Sequence, residues 1–116
     1  MTAVRDMFAR HPLVRGSLHA SCEEGWLPLI DDCLTELEAF GLPIVIHRIR
    51  EKMGALRINI LTPTSVGGED QRRWEDIIRA AEESSLKTCE ICGKAGWLRQ
   101  STTGTYATRC DQHQAI

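Results

Sequence analysis

Nothing in the 116 residues approaches the roughly 20 consecutive apolar residues that a bilayer-spanning helix requires. A membrane-embedded role is therefore not expected. Met1 opens a polar, charged segment with no apolar run of the secretory-leader kind, so a cytoplasmic location is expected. A large net charge is also missing. The formal value is −2, which excludes a polycation that binds nucleic acid indiscriminately while leaving room for a local basic patch. Internal repeats are absent, as is any low-complexity run long enough to make a flexible linker. Gly67-Gly68 is too short and poorly placed for a phosphate loop.

What is present fits one small domain. Apolar residues make up 42% and charged residues 26%, enough for a modest core. The charge is unevenly spread. Residues 1–86 hold ten Lys/Arg against 14 Asp/Glu, and residues 87–116 hold four against two. The chain divides accordingly into an α+β body, 1–86, and a short tail, 87–116, packed on it.

Local patterns suggest the elements of the body. Residues 1–10 make a short helix, with Thr2 or Asp6 near its start and Met7 and Phe8 as docking residues. It ends at His11-Pro12, because the residue before proline avoids the helical region. Residues 12–24 read as loop. The clearest helix follows, with Trp26, Leu29, Ile30, Cys33, Leu37 and Phe40 at helical spacing. Pro28 suits its first turn and Gly41-Leu42-Pro43 stops it. Asp31, Asp32, Glu36 and Glu38 fall on its other faces and read as solvated.

Residues 44–61 form a β-hairpin that turns at Met53-Gly54. Its first strand is rich in β-branched residues, and its second alternates Leu56, Ile58 and Ile60 with Arg57 and Asn59. A second main helix from about Glu69 to Leu86 carries Trp74, Ile77, Ile78, Ala81 and Ser85 inward. Its exposed face mixes acids and arginines at helical spacing. Two helices packed on a hairpin make a two-layer body.

The tail carries the sharpest signal. Cys89-Glu90-Ile91-Cys92 and Cys110-Asp111-Gln112-His113 each hold two residues between candidate ligands, and 17 residues separate the pairs. A C-x-x-C turn points two thiolates inward, and a second knuckle closes a tetrahedron. This is the spacing of a structural Cys₃His zinc site, here a zinc ribbon. A disulfide between Cys89 and Cys92, leaving Cys110 free, is the less favoured reading in a reducing compartment. A catalytic zinc would need an open position. The deaminase pattern would need H-x-E ahead of P-C-x-x-C, and neither occurs. Two strands, 97–100 and 105–109, are expected to carry one knuckle at each end of their hairpin. Trp97 and Tyr106 are expected to dock it on the body.

Other constellations are weaker. His19 and Cys22 have knuckle spacing but lack further ligands, and Cys33 suits an apolar helix face. Pairing of Cys22 with His19 or His47 as a nucleophile lacks an orienting third group, so no catalytic residue is assigned. The densest basic cluster is on the hairpin, at His47, Arg48, Arg50, Lys52 and Arg57. With Arg99 and Arg109 these are the candidate contacts to a partner or to nucleic acid. The bland alternative is the charged solvent face of an antiparallel sheet. The hairpin lacks interleaved aromatics, which weakens a base-stacking platform. Oligomeric state is not legible, although an unpaired strand edge could support a symmetric dimer.

Three segments together resemble a known group. They are Gly25-Trp26-Leu27-Pro28-Leu29-Ile30 with its acidic helix, Ile49-Arg50-Glu51-Lys52-Met53-Gly54-Ala55-Leu56-Arg57-Ile58, and the Cys89–Cys92 and Cys110–His113 pairs. In this order they resemble small bacteriophage and prophage zinc-ribbon proteins with a Gly-Trp-led helix and a KEKFGGLRF-like hairpin. The match spans roughly residues 22–113. Met53 and Ala55 stand where that pattern has Phe and Gly, and Arg50 where it has Lys. The resemblance implies a phage or mobile-element origin and a bacterial host cytoplasm, and it supplies no activity. The expected function is that of a non-catalytic, zinc-stabilised accessory protein that binds a host protein or complex, with inhibition of a defence system in the anti-CRISPR manner as one version. The alternative is a nucleic-acid-binding zinc-ribbon module.

Overall fold

The computed structural model describes residues 2–116. Helix α1 spans Thr2–Ala9, strand β1 Val14–Gly16, helix α2 Leu27–Glu38, strands β2 and β3 Ile44–Lys52 and Ala55–Leu61, and helix α3 Gly68–Ser85. Strands β4, Trp97–Gln100, and β5, Tyr106–Arg109, follow. Among the described residues the fold is α+β, with three α-helices, a three-stranded sheet ordered β1-β2-β3 and a separate two-stranded sheet β4-β5.

Most of the body follows the hydrophobic pattern. Ile30, Leu34 and Leu37 of α2 and Trp74 of α3 are fully buried against Ile44, Ile49 and Leu56 of the sheet. Phe40 is half-buried and meets Trp74 edge-on, ring centroids 5.3 Å apart. Met7 and Phe8 dock α1 as their spacing predicts. Arg73 pairs with Asp70 and Arg79 with Asp76 on the exposed side of α3. Met53 and Gly54 both take positive φ, 54° and 85°, which is the two-residue hairpin turn whose twist suits the flanking strands. The Glu51 carboxylate accepts from Gly54 N at 2.7 Å and holds that turn.

Three points depart from the sequence reading. Val14–Gly16 is not loop but a strand, paired parallel to Ile44–Ile46. Three residues carry no readable alternation, and a parallel partner across a helix is chosen by tertiary packing. Trp26 lies in a short 3-10 turn, Glu24–Trp26, ahead of α2 rather than inside it. Asp31 and Glu38 are not simply solvated, because both reach the buried ring of His11. Nδ1 lies 2.5 Å from the Glu38 carboxylate and Nε2 2.5 Å from that of Asp31.

Both long edges of the hairpin are occupied. On one side Ser17 N and Ser21 N donate to the carbonyls of Ile46 and Ile49. On the other, the outward N–H of Leu56 donates to Ser85 Oγ and that of Ile58 to the Glu82 carboxylate, each at 2.9 Å. Helix α3 thereby covers the β3 edge along which a symmetric dimer would add a strand. What stays open is the sheet face turned away from α2 and α3.

Candidate metal centre

The four ligands come from two short segments flanking one hairpin. Antiparallel pairing sets Trp97 opposite Arg109, so the residues before β4 and after β5 meet at the same open end. The two knuckles lie together there, although they stand at opposite ends of the hairpin in sequence. Cys89 and Cys110 are buried, His113 is half-buried and Cys92 is exposed. Their ligand atoms all fall within 4.8 Å of one another. Cys92 Sγ lies 3.8 Å from Cys110 Sγ, and His113 Nδ1 lies 3.2 Å from Cys110 Sγ and 3.8 Å from Cys89 Sγ. A tetrahedron with metal–sulfur bonds of about 2.3 Å has edges of about 3.8 Å. A sulfur–sulfur bond is about 2.05 Å, so Cys92 and Cys110 are not bonded, and all five cysteines are free thiols. The residues present fit one tetrahedral metal ion.

The surroundings shift Cys89 and Cys92 in opposite directions. Burial alone would raise the Cys89 thiol. The backbone N–H groups of Cys92, Cys110 and Ile91 aim at it and bring it down to about 6. The Lys94 N–H pulls the Cys92 thiol down, but loss of solvent contact together with the Cys89 and Cys110 sulfurs outweighs it and raises the thiol.

The knuckle is attached to the body at two places. Gly25 N donates to the Glu90 carbonyl at 2.7 Å, and Glu23 N to the Glu90 carboxylate at 3.1 Å. The Trp26 indole donates to the Thr88 carbonyl at 2.9 Å. A side chain at Gly25 would put its Cβ 2.3 Å from the Cys89 carbonyl oxygen, so only glycine lets the two backbones approach this closely. Burial pushes the Glu90 carboxyl up against the pull of the Glu23 N–H. The second attachment is the tip of the β2–β3 turn. Thr108 Oγ1 is buried and donates to the Gly54 carbonyl at 2.7 Å.

Several expected roles change. Trp97 does not dock the hairpin. It is 48% exposed and lies under the Arg99 guanidinium, 4.6 Å from the ring centroid. Strand alternation puts Trp97 on the face opposite Leu98 and Thr108, which meet Gly54. Tyr106 does lie at that contact. Arg99 is engaged with Asp111 and the Arg109 carbonyl, and Arg109 with the Ala115 carbonyl. They stand on the β4–β5 sheet and not on the sheet that holds β2 and β3. Burial and nearby Glu90 push the Cys22 thiol up to about 12, and burial does the same for Cys33. Neither is a poised nucleophile. His19 and Cys22 belong to no second group of three or more potential ligands among the described residues.

Sequence reasoning missed Glu90, Thr88 and Thr108 because each acts through long-range backbone bonds. The Gly-Trp pair was visible as a pattern, but its partner was not. No protein-family model, curated protein or solved structure matches the chain. Within the described residues, no helix is long and apolar enough to cross a membrane.

Proposed function

We propose that this chain is a non-catalytic binding protein, completed by one structural zinc ion, that works by occupying a macromolecule of its host. The observation that carries the reading is the construction of the metal centre. Four side chains lie close enough together to supply every ligand of one ion, and the knuckle is bonded to Glu23, Gly25 and Trp26 beside it. Catalytic zinc keeps a position open for water or substrate, whereas structural zinc spends all four on the protein. Zinc suits three thiolates and an imidazole better than a hard cation does. When bound, it contributes folding energy to a tail with little core of its own. The β4–β5 hairpin and its knuckles then make a zinc ribbon.

A host protein or complex as the partner, including a defence complex, draws support from the phage-type resemblance. The test is to capture partners on the zinc-loaded protein from host lysate, with and without nuclease. A stoichiometric partner kept by the native chain and lost after chelation supports the reading. Failure to retain any macromolecule, or turnover of a substrate by the pure protein, overturns it.

A further inference from the structure

Among the described residues, four of the 14 lysines and arginines make ion pairs. Arg10, Arg73, Arg79 and Arg99, on the helices, the α1–β1 loop and the tail, each pair with an aspartate. The cations of the open sheet face do not, and neither do Arg5, Arg72, Lys87, Lys94 and Arg109 elsewhere among the described residues. Among the described residues, Arg48, Arg50, Lys52 and Arg57 make no ion pair, and Arg15 bonds only the carbonyls of Pro12 and Val14. This happens in a chain with a formal charge of −2, where carboxylates outnumber cations.

The face is also built against its own stability. Arg50 stands directly across from Arg57 in the β2–β3 register. Like charges in that position repel. Arg50 Nε is buried and has no hydrogen-bond partner, an uncompensated donor on the same side chain. The register shift between Ile46 and Arg48 inserts His47 as an extra residue, so His47 and Arg48 are both exposed. A bulge that re-aims side chains is a recurrent device at binding surfaces. Glu51, the one acid within β2, stands opposite inward Leu56, and its carboxylate is taken by Gly54 N.

Resting on the reading of the chain as a binding protein, we propose that the open face of β1-β2-β3 binds the phosphate backbone of nucleic acid through Arg48, Arg50, Lys52 and Arg57. Spacing supports phosphate over a scattered set of carboxylates. Alternate residues on a strand lie about 7 Å apart. Arg48, Arg50 and Lys52 therefore form a row with a step comparable to that of successive phosphates. Arg57 widens the row across the strand pair. The face has no aromatic residue, so bases are not stacked and sequence is not read. Both hairpin edges are occupied, which leaves the face and not an edge as the contact.

The experiment is fluorescence anisotropy of the zinc-loaded full chain with labelled single-stranded and duplex oligonucleotides of mixed sequence, across a salt series. Four neutralised duplex phosphates give a slope of log affinity against log salt of about −3.6, a loss of roughly a hundredfold between about 50 and 200 mM. Changing Arg50→Ala with Arg57→Ala should weaken binding at least about tenfold and flatten the slope by about 2. The pair Arg50→Lys with Arg57→Lys should restore most of it, and Arg73→Ala with Arg79→Ala on α3 should change nothing. Circular dichroism confirms folding in each case. Equal binding by the Ala face variant, or no binding of either oligonucleotide at low salt, overturns the proposal. Polyglutamate binding as tightly as nucleic acid also overturns it, in favour of an acidic protein surface. These failures leave the binding-protein reading standing, which the capture experiment tests separately.

Discussion

The indole N–H of Trp26 donates to the carbonyl of Thr88, 62 residues away, at 2.9 Å. Thr88 is the residue before the first metal ligand, and Trp26 leads the principal core helix. The bond joins the hydrophobic core of the body to the metal knuckle. Beside it, Gly25 packs on Cys89 and Glu90, while Thr108 grips the hairpin tip at Gly54. The Gly-Trp pair, the hairpin turn and the knuckle are thus parts of one junction.

Metal removal should therefore act beyond the tail. Small zinc domains draw about 10–16 kcal/mol of apparent folding energy from their metal. A strong chelator, or Cys92→Ser, is expected to unfold residues 87–113 first and then loosen the contacts of Trp26 and Gly54. Hydrogen exchange, with metal content measured in parallel, should show protection lost in β4 and β5 before β2. Unchanged protection and protease resistance without metal would refute a folding role.

Gly25→Ala is a sharp test of the junction. Its Cβ would lie 2.3 Å from one backbone oxygen and 2.4 Å from another, neither of which can swing aside. The expected cost is about 3 kcal/mol, at the upper end for overpacking. Gly67→Ala, with nothing within 4 Å, is the control and should stay within about 0.5 kcal/mol. Chemical denaturation of both variants decides it, and equal effects would mean that the junction yields.

His11 makes stability depend on pH from both sides. Burial pulls its imidazole down, but Glu38 and Asp31 together outweigh this and hold its pKa above 6.5. That contribution is complete below pH 6.5 and fades as pH rises through the folded value. Asp31 is pushed up by burial and pulled further down by His11 and Arg10, to below 3.8. Its contribution is complete above pH 3.8 and fades as pH falls through the folded value. Stability should plateau between these limits. His11→Gln should lower the plateau by roughly 1–2 kcal/mol, discounted for the partly exposed carboxylates. Denaturation across pH, with an NMR titration of the ring, checks both. An imidazole titrating at or below 6.5 would contradict the clamp.

Ser85 and Glu82 guard the β3 edge. Ser85→Ala leaves the Leu56 N–H buried without an acceptor, at a cost of about 1–3 kcal/mol. Glu82→Ala should cost less but free the Ile58 N–H at the edge. The double variant is expected to associate as concentration rises, which light scattering would detect. A variant that stays monomeric and equally stable would show that the edge needs no cover.

Much of this was legible in the chain. Apolar spacing fixed α2, α3 and the β2–β3 pair, because helix and strand periods are properties of local sequence. The pairs Cys89–Cys92 and Cys110–His113 pointed to the four side chains that gather as a possible metal site, because knuckle geometry is local as well. The acidic helix shows where reading stopped. Asp31 and Glu38 fall on a polar face by spacing, yet they clamp His11, whose burial depends on where α1 docks. Trp97 looked like an anchor by type, while strand direction turned it outward and gave the anchoring to Thr108.

The residues by themselves determined the main helices, the β2–β3 hairpin and the β4–β5 strands, though not β1, since backbone propensity and side-chain period act within a few positions. Tertiary structure alone decided which of these segments meet. It set β1 beside β2, laid α3 along the β3 edge, and pressed Gly25 onto the knuckle. It also set Arg50 opposite Arg57 and brought Arg48 and Lys52 onto the same open face. Such choices rest on close packing and on buried donors finding acceptors across the fold, and no local window of sequence records them.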